Sequence, residues 1–167
     1  IGTGWYIGGV CGIVNNGGTI QNCYSTGTVG GSSDSSVGGV CGMNNRGGTI
    51  SNCYFDSSKC DKNAVGLNNN GTVEKTEGKT TTQFESGEVA YLLAQGCTVG
   101  ETFYDGSVWG QQLGEYSYPV IGSDQKVYYG YEDCTSQIYS NTVLSENPVH
   151  DYDNGFCVDC EVYQPAT

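Results

Sequence analysis

The chain has 167 residues, with 18 acidic and 6 basic side chains and a formal net charge of −12. That balance excludes a nucleic-acid surface, which needs a basic footprint, and simple electrostatic docking to anionic lipid. No stretch reaches the roughly 18–20 apolar residues of a membrane helix, and the length suits one domain or one domain with an appendage.

Residues 8–24 read GGVCGIVNNGGTIQNCY and residues 38–54 read GGVCGMNNRGGTISNCY, an ungapped offset of 30. A degenerate third copy follows: Gly66-Leu67-Asn68-Asn69-Asn70-Gly71-Thr72-Val73 matches the segment from Gly42 to Ile50 with one glycine deleted. Fixed-period self-similarity predicts one unit stacked on its copy, with atypical repeats at the ends. In each unit Gly-Gly-Val-Cys-Gly supplies a short strand. The Asn-Gly run supplies a turn at positive φ. Thr-Ile-x-Asn-Cys-Tyr supplies a second strand. Strict alternation would send Ile20 and Cys23 to opposite faces although both suit burial. A corner between them resolves the conflict, and the sequence does not say which residue takes it. Asn15 over Asn45 and Asn22 over Asn52 are candidate amide ladders; the alternative is that each serves its own turn.

Nine cysteines cannot all pair internally. Cys11, Cys41, Cys23 and Cys53 occupy equivalent positions and predict two inward columns, Cys11 over Cys41 and Cys23 over Cys53. They are either core thiols or bridges of an oxidised scaffold.

After the repeats, Thr82 with Glu85 forms a capping-box pattern, and Phe84, Val89, Leu92 and Leu93 share a stripe. One helix is expected over residues 82–95, weakened by Gly87 and stopped at Gly96. Its apolar face should pack beside the stack or over its end. Residues 97–131 return to strand character, with Trp109, Tyr116, Tyr118, Val120, Ile121, Val127, Tyr128, Tyr129 and Tyr131 broken by Gly and Pro. After Lys126 there is no Lys or Arg, and seven acids follow. There Cys157-Val158-Asp159-Cys160 lies behind His150, the single histidine, and Cys134 is the natural fourth ligand of a zinc site. The competing reading is a solvated tail with a Cys157–Cys160 or Cys134-linked disulfide.

The pattern Gly9-Val10-Cys11-Gly12, Gly18-Thr19-Ile20 and Asn22-Cys23-Tyr24, with its copies, resembles the GLUG-type repeats of large bacterial cell-surface, adhesin-like proteins, especially of Gram-positive gut anaerobes. The runs from Thr81 to Leu93 and from Trp109 to Ile121 look like the segment closing such arrays, and the tail from Gly155 to Ala166 like a short C-terminal module of the same proteins. The resemblance implies an extracellular, structural location and a part of a longer surface protein. It departs at the third repeat, which lacks its Cys-Tyr.

The expected fold is therefore all-β: a short parallel β-solenoid of about three coils over residues 1–79, a capping helix and aromatic β cap over 80–133, and an acidic cysteine-containing tail over 134–167. The expected function is a non-catalytic stalk or adhesive segment, with a host glycan or protein as the possible partner, no nucleic acid and no membrane insertion. No cofactor is expected beyond zinc in the tail. Two other readings compete with that function. A polysaccharide lyase or hydrolase of the β-helix type needs converging carboxylates. Before Asp56 the repeats carry one acid, Asp34, and Asp56 and Asp61 sit in an apparent loop. An ice-type regular surface needs threonine columns, and Thr19, Thr49 and Thr72 supply one. Asn70-Gly71-Thr72 is a glycosylation sequon by pattern, with little use in a bacterium.

Overall fold

The computed structural model describes residues 4–31, 36–95, 109–122, 124–153, 156–157 and 160. The first unit supplies β1 (Tyr6–Gly8), β2 (Cys11–Val14) and β3 (Thr19–Ser25). The second supplies β4 (Ser36–Gly38), β5 (Cys41–Asn45) and β6 (Thr49–Asp56). The degenerate third supplies β7 (Val65–Asn69) and β8 (Thr72–Lys79). Like strands pair in parallel, in the orders β1-β4, β2-β5-β7 and β3-β6-β8. The chain is thus strand-rich and layered, each unit lying on its copy.

Register follows the sequence repeat. Ile20 sits beside Ile50, Cys11 beside Cys41, and Cys23 beside Cys53. The Val10 amide donates to the Val40 carbonyl at 2.9 Å. In the third layer Asn44 meets Asn68 while Thr49 meets Thr72. The offset falls from 24 to 23 between those two pairs, so the deleted glycine is absorbed in the turn. Cys53 and Tyr54 there face Thr76 and Glu77, which is how the missing Cys-Tyr appears in space.

The corner falls on Asn22, Asn52 and Lys75, all left-handed at φ 53°, 51° and 44°. Asparagine adopts this region at modest cost. One left-handed residue between Ile and Cys turns both inward, and Ile50 and Cys53 are fully buried. With Val14, Val40, Cys41, Phe55 and Cys60 they form the core of the stack. Burying a side chain of the Ile or Phe class contributes about 1.5–3 kcal/mol. The eight described cysteines are free thiols, so the four repeat cysteines pack as small hydrophobes. The hydrogen bond with Cys23, together with burial, pushes the Cys53 thiol well above its ordinary value. Cys97 lies outside the described residues.

The amide ladders form. Asn52 Nδ2 donates to Asn22 Oδ1 at 2.7 Å, Asn45 Nδ2 to Asn15 Oδ1 at 3.2 Å, and Asn69 Nδ2 to Asn45 Oδ1 at 2.8 Å.

The expected single helix over 82–95 is two: α1 (Thr81–Glu85) and α2 (Glu88–Gln95). The N-cap is Thr80, whose hydroxyl accepts from the Gln83 amide while the Gln83 side chain accepts from the Thr80 amide. Thr82 and Glu85 do not form the box. The break is Gly87, at φ 91°, where an added Cβ would lie 2.7 Å from Leu113. Gly96 lies outside the described residues.

Both helices pack against the outer face of the β3-β6 sheet. Phe84, Val89, Leu93 and Trp109 enclose Tyr54, with Tyr24, Leu92 and Tyr118 at the margin. Tyr24 Oη donates to the Pro119 carbonyl at 2.6 Å, and Tyr54 Oη to Asn52 Oδ1 at 2.7 Å. The aromatic residues expected to form strands do so in short pieces: β9 (Trp109–Gly110) pairs with β10 (Val120–Ile121). β11 (Tyr128–Tyr131) pairs with β12 (Gln137–Ser140) in an antiparallel hairpin. Tyr91 of α2 touches Tyr129 and Tyr139 of that hairpin, ring centres 5.9 and 5.7 Å away. The tail adds β13 (Tyr152–Asp153) and β14 (Phe156–Cys157). Among the described residues no helix is long and apolar enough to cross a membrane.

Candidate metal centre

Two turns bring four ligand-type side chains together. The first is the tip of the β11–β12 hairpin. Asp133 Oδ1 accepts from the amides of Thr135 and Ser136, both at 2.7 Å, and from Thr135 Oγ1. This closes an Asx turn and holds Cys134 at the tip. Those bonds also keep the Asp133 carboxyl below its ordinary value, the Thr135 amide contributing most. The second turn is the tail hairpin, with His150 ahead of β13, Cys157 in β14 and Cys160 just after it.

The ligand atoms of Cys134, His150, Cys157 and Cys160 all lie within 4.8 Å of one another. Cys134 Sγ is 3.3 Å from Cys157 Sγ, and Cys160 Sγ is 3.4 Å from His150 Nδ1. A tetrahedral zinc ion with Zn–S of about 2.3 Å and Zn–N of about 2.0–2.1 Å would separate its ligand atoms by roughly 3.5–3.8 Å. The four donors are therefore gathered close to coordination spacing, two of their separations just under it and none above 4.8 Å. Cys157 is buried and the other three are half-buried, so an ion here would be shielded by its own ligands. Desolvation, then hydrogen bonding with Cys160 and Cys157, pushes the Cys134 thiol up to about 12. The Cys134 thiol, crowded by two others, resists ionisation, and a divalent cation is what relieves that. The cluster could hold a metal such as zinc, and the full set of four was legible in the sequence.

The sequence did not reveal how Cys134 is presented. The signal was there, because Asp-Cys-Thr-Ser is a strong Asx-turn string. Of the acids considered for catalysis, Asp34 lies outside the described residues, and Asp56 and Asp61 are brought to other work. Asp56 is buried and accepts from Ser58 Oγ at 2.6 Å, the Ser58 amide at 2.9 Å, Thr81 Oγ1 at 2.9 Å and Tyr118 Oη at 3.2 Å. Desolvation alone would raise its pKa; these bonds outweigh it and hold the carboxyl below its ordinary value. Asp61 is exposed and pairs with Lys62 at 3.1 Å. A cleft of about 590 Å³ opens at the third layer, between Phe55, Val65, Val73 and Thr76, and its one acidic lining residue is Glu77. Thr19, Thr49 and Thr72 do form a single in-register column.

The family model described as the GLUG motif matches residues 3–30. This unit is a GLUG-type repeat. The second unit, its near-copy at an offset of 30, stacks directly upon it. The GLUG motif is a repeat module compatible with a surface or structural role. Comparison with curated proteins and with solved structures found no match.

Proposed function

We propose that this chain is a non-catalytic module of a bacterial cell-surface protein: a short β-solenoid of GLUG-type repeats whose C-terminal tail is fastened by a structural zinc ion. The observation that carries the reading is the register. Two near-identical blocks lie on each other residue for residue, Thr19 on Thr49 through Tyr24 on Tyr54. Such stacking makes a rod with a regular surface, each layer stabilised by its neighbours, and it commits side chains to packing rather than to a reaction. The engagement of Asp56 by four donors supports the same view, because a carboxylate so held is a structural tie. The Cys3His set suits a closed structural zinc site, with all four positions filled by protein. A stalk asks for such a fastening, since an acidic tail repels itself and has little apolar area to bury.

The test has two arms. Protease shaving and antibody labelling of intact source cells should find this segment outside the envelope; recovery only from lysed cells contradicts the location. Metal analysis of protein made without chelator should give one zinc per chain, and a chain free of zinc contradicts the fastening.

A further inference from the structure

The first coil has an outer face that nothing covers among the described residues. β1, β2 and β3 each stand at the edge of their sheet. Val10 is 37% exposed and Ile13 41%, whereas their copies Val40 and Met43, lying beneath the first coil, are 0% and 8% exposed. Exposed sheet edges are ordinarily protected by charge. The opposite edge is: β8 carries Glu74, Lys75, Glu77 and Lys79. β1 to β3 carry no charged residue at all.

The glycines give independent testimony. At Gly42 an added Cβ would lie 2.4 Å from the Ile7 nitrogen and 2.7 Å from the Gly12 oxygen, both in the preceding coil. At Gly66 it would lie 2.7 Å from the Gly42 oxygen and the Val37 nitrogen, again in the preceding coil. Position for position, glycine is required because a backbone passes overhead. Gly12 is the same position in the first coil. There the added Cβ would meet only the Tyr6 oxygen of its own coil, at 3.1 Å, among the described residues. Gly18 repeats the point. At its counterpart Gly71 an added Cβ would collide with the Asn44 side chain of the coil above, while at Gly18 it would meet only its own turn among the described residues. The amide ladder has a direction as well. Asn69 donates to Asn45 and Asn45 to Asn15, so each rung donates toward the preceding coil, and Asn15 stands ready to donate to one more.

We propose that the outer face of the first coil docks a further coil of the same repeat, uncharged, parallel and in the same register. It would set an Asn carbonyl over Asn15, backbone over Gly12, and Val and Ile over Val10 and Ile20. The inference rests on the coil-stacking part of the proposed function and not on the surface location or the zinc.

The experiment adds one more copy of residues 1–30 directly ahead of residue 1 of the full chain. In the extended protein the alkylation rate of Cys11, read by mass spectrometry under native conditions, should fall to that of Cys41, and the Tm should rise. Gly12→Ala should leave the Tm of the unextended chain within about 2 °C. It should lower that of the extended chain as much as Gly42→Ala lowers the unextended one. Cys11 remaining as reactive as before, or Gly12→Ala acting alike in both chains, overturns the proposal. A concentration-dependent dimer of the unextended chain that protects Cys11 gives the face to a second copy and overturns it too. Gly42→Ala tests the premise separately: if it is harmless in the unextended chain, the stacking itself fails.

Discussion

The repeats and the tail use the same side chain for opposite purposes. In the repeats, Cys11, Cys41, Cys23 and Cys53 stand in two columns, and Cys41 and Cys53 are fully buried as small apolar fillers. In the tail, Cys134, Cys157 and Cys160 converge with His150 on one point. The difference lies in the backbone. A parallel ladder repeats each thiol at the strand spacing of roughly 4.8 Å, which gives rows and no convergence. In the tail, the tip of the β11–β12 hairpin meets β14 and the residue beyond it, which brings several thiols to one point. Chemistry belongs to the second arrangement, and packing to the first.

The sharpest way to break the contrast is to put a carboxylate into each environment. Cys53→Asp buries an acid with no cationic partner and should cost several kcal/mol, enough to unfold the stack, as circular dichroism would record. Cys160→Asp leaves an oxygen ligand beside three others. It should weaken zinc binding, by titration with a competing chelator, while the repeat strands keep their melting curve. Equal damage from both would erase the distinction.

Asn52→Ala should cost about 1–3 kcal/mol in urea unfolding, because it removes the bond to Asn22, strands Tyr54 Oη and puts alanine in the left-handed region. Asn52→Gly should recover the backbone part of that loss and no more. Chelator treatment should act on the other region. Amides of the β13–β14 hairpin and the Cys134 turn should lose exchange protection, and those of β5 and β6 should keep it.

The smallest expected effect concerns acid. Asp56 has a folded pKa below its ordinary value, so its contribution is full above the unfolded carboxylate pKa and fades as pH falls through the folded one. Melting temperature should therefore drop below about pH 4, and Asp56→Asn should flatten that drop while lowering stability at neutral pH.

The repeat register was legible because identical residues at a fixed offset leave one way to stack. So were the thiol columns, the turn glycines and the four metal-type ligands. The corner residue was not. Alternation says that Ile20 and Cys23 conflict, but only the φ of Asn22 says where the conflict is relieved. The helix boundary was missed for a related reason. Thr80, Thr81 and Thr82 all offer a capping hydroxyl, and Gln83 reaches back to the first of them. Gly87 was read as a weak helical residue. It is a break because Leu113, 26 residues downstream, occupies the space a side chain would need. Tertiary contacts of that kind leave no local trace.

The stacking itself is most directly tested by methyl-labelled NMR. Cross-peaks are predicted between Ile20 and Ile50 and between Ile50 and Val73, one layer apart, with none between Ile20 and Val73, two layers or about 9.6 Å apart. Absence of the first two in a folded chain would contradict the account.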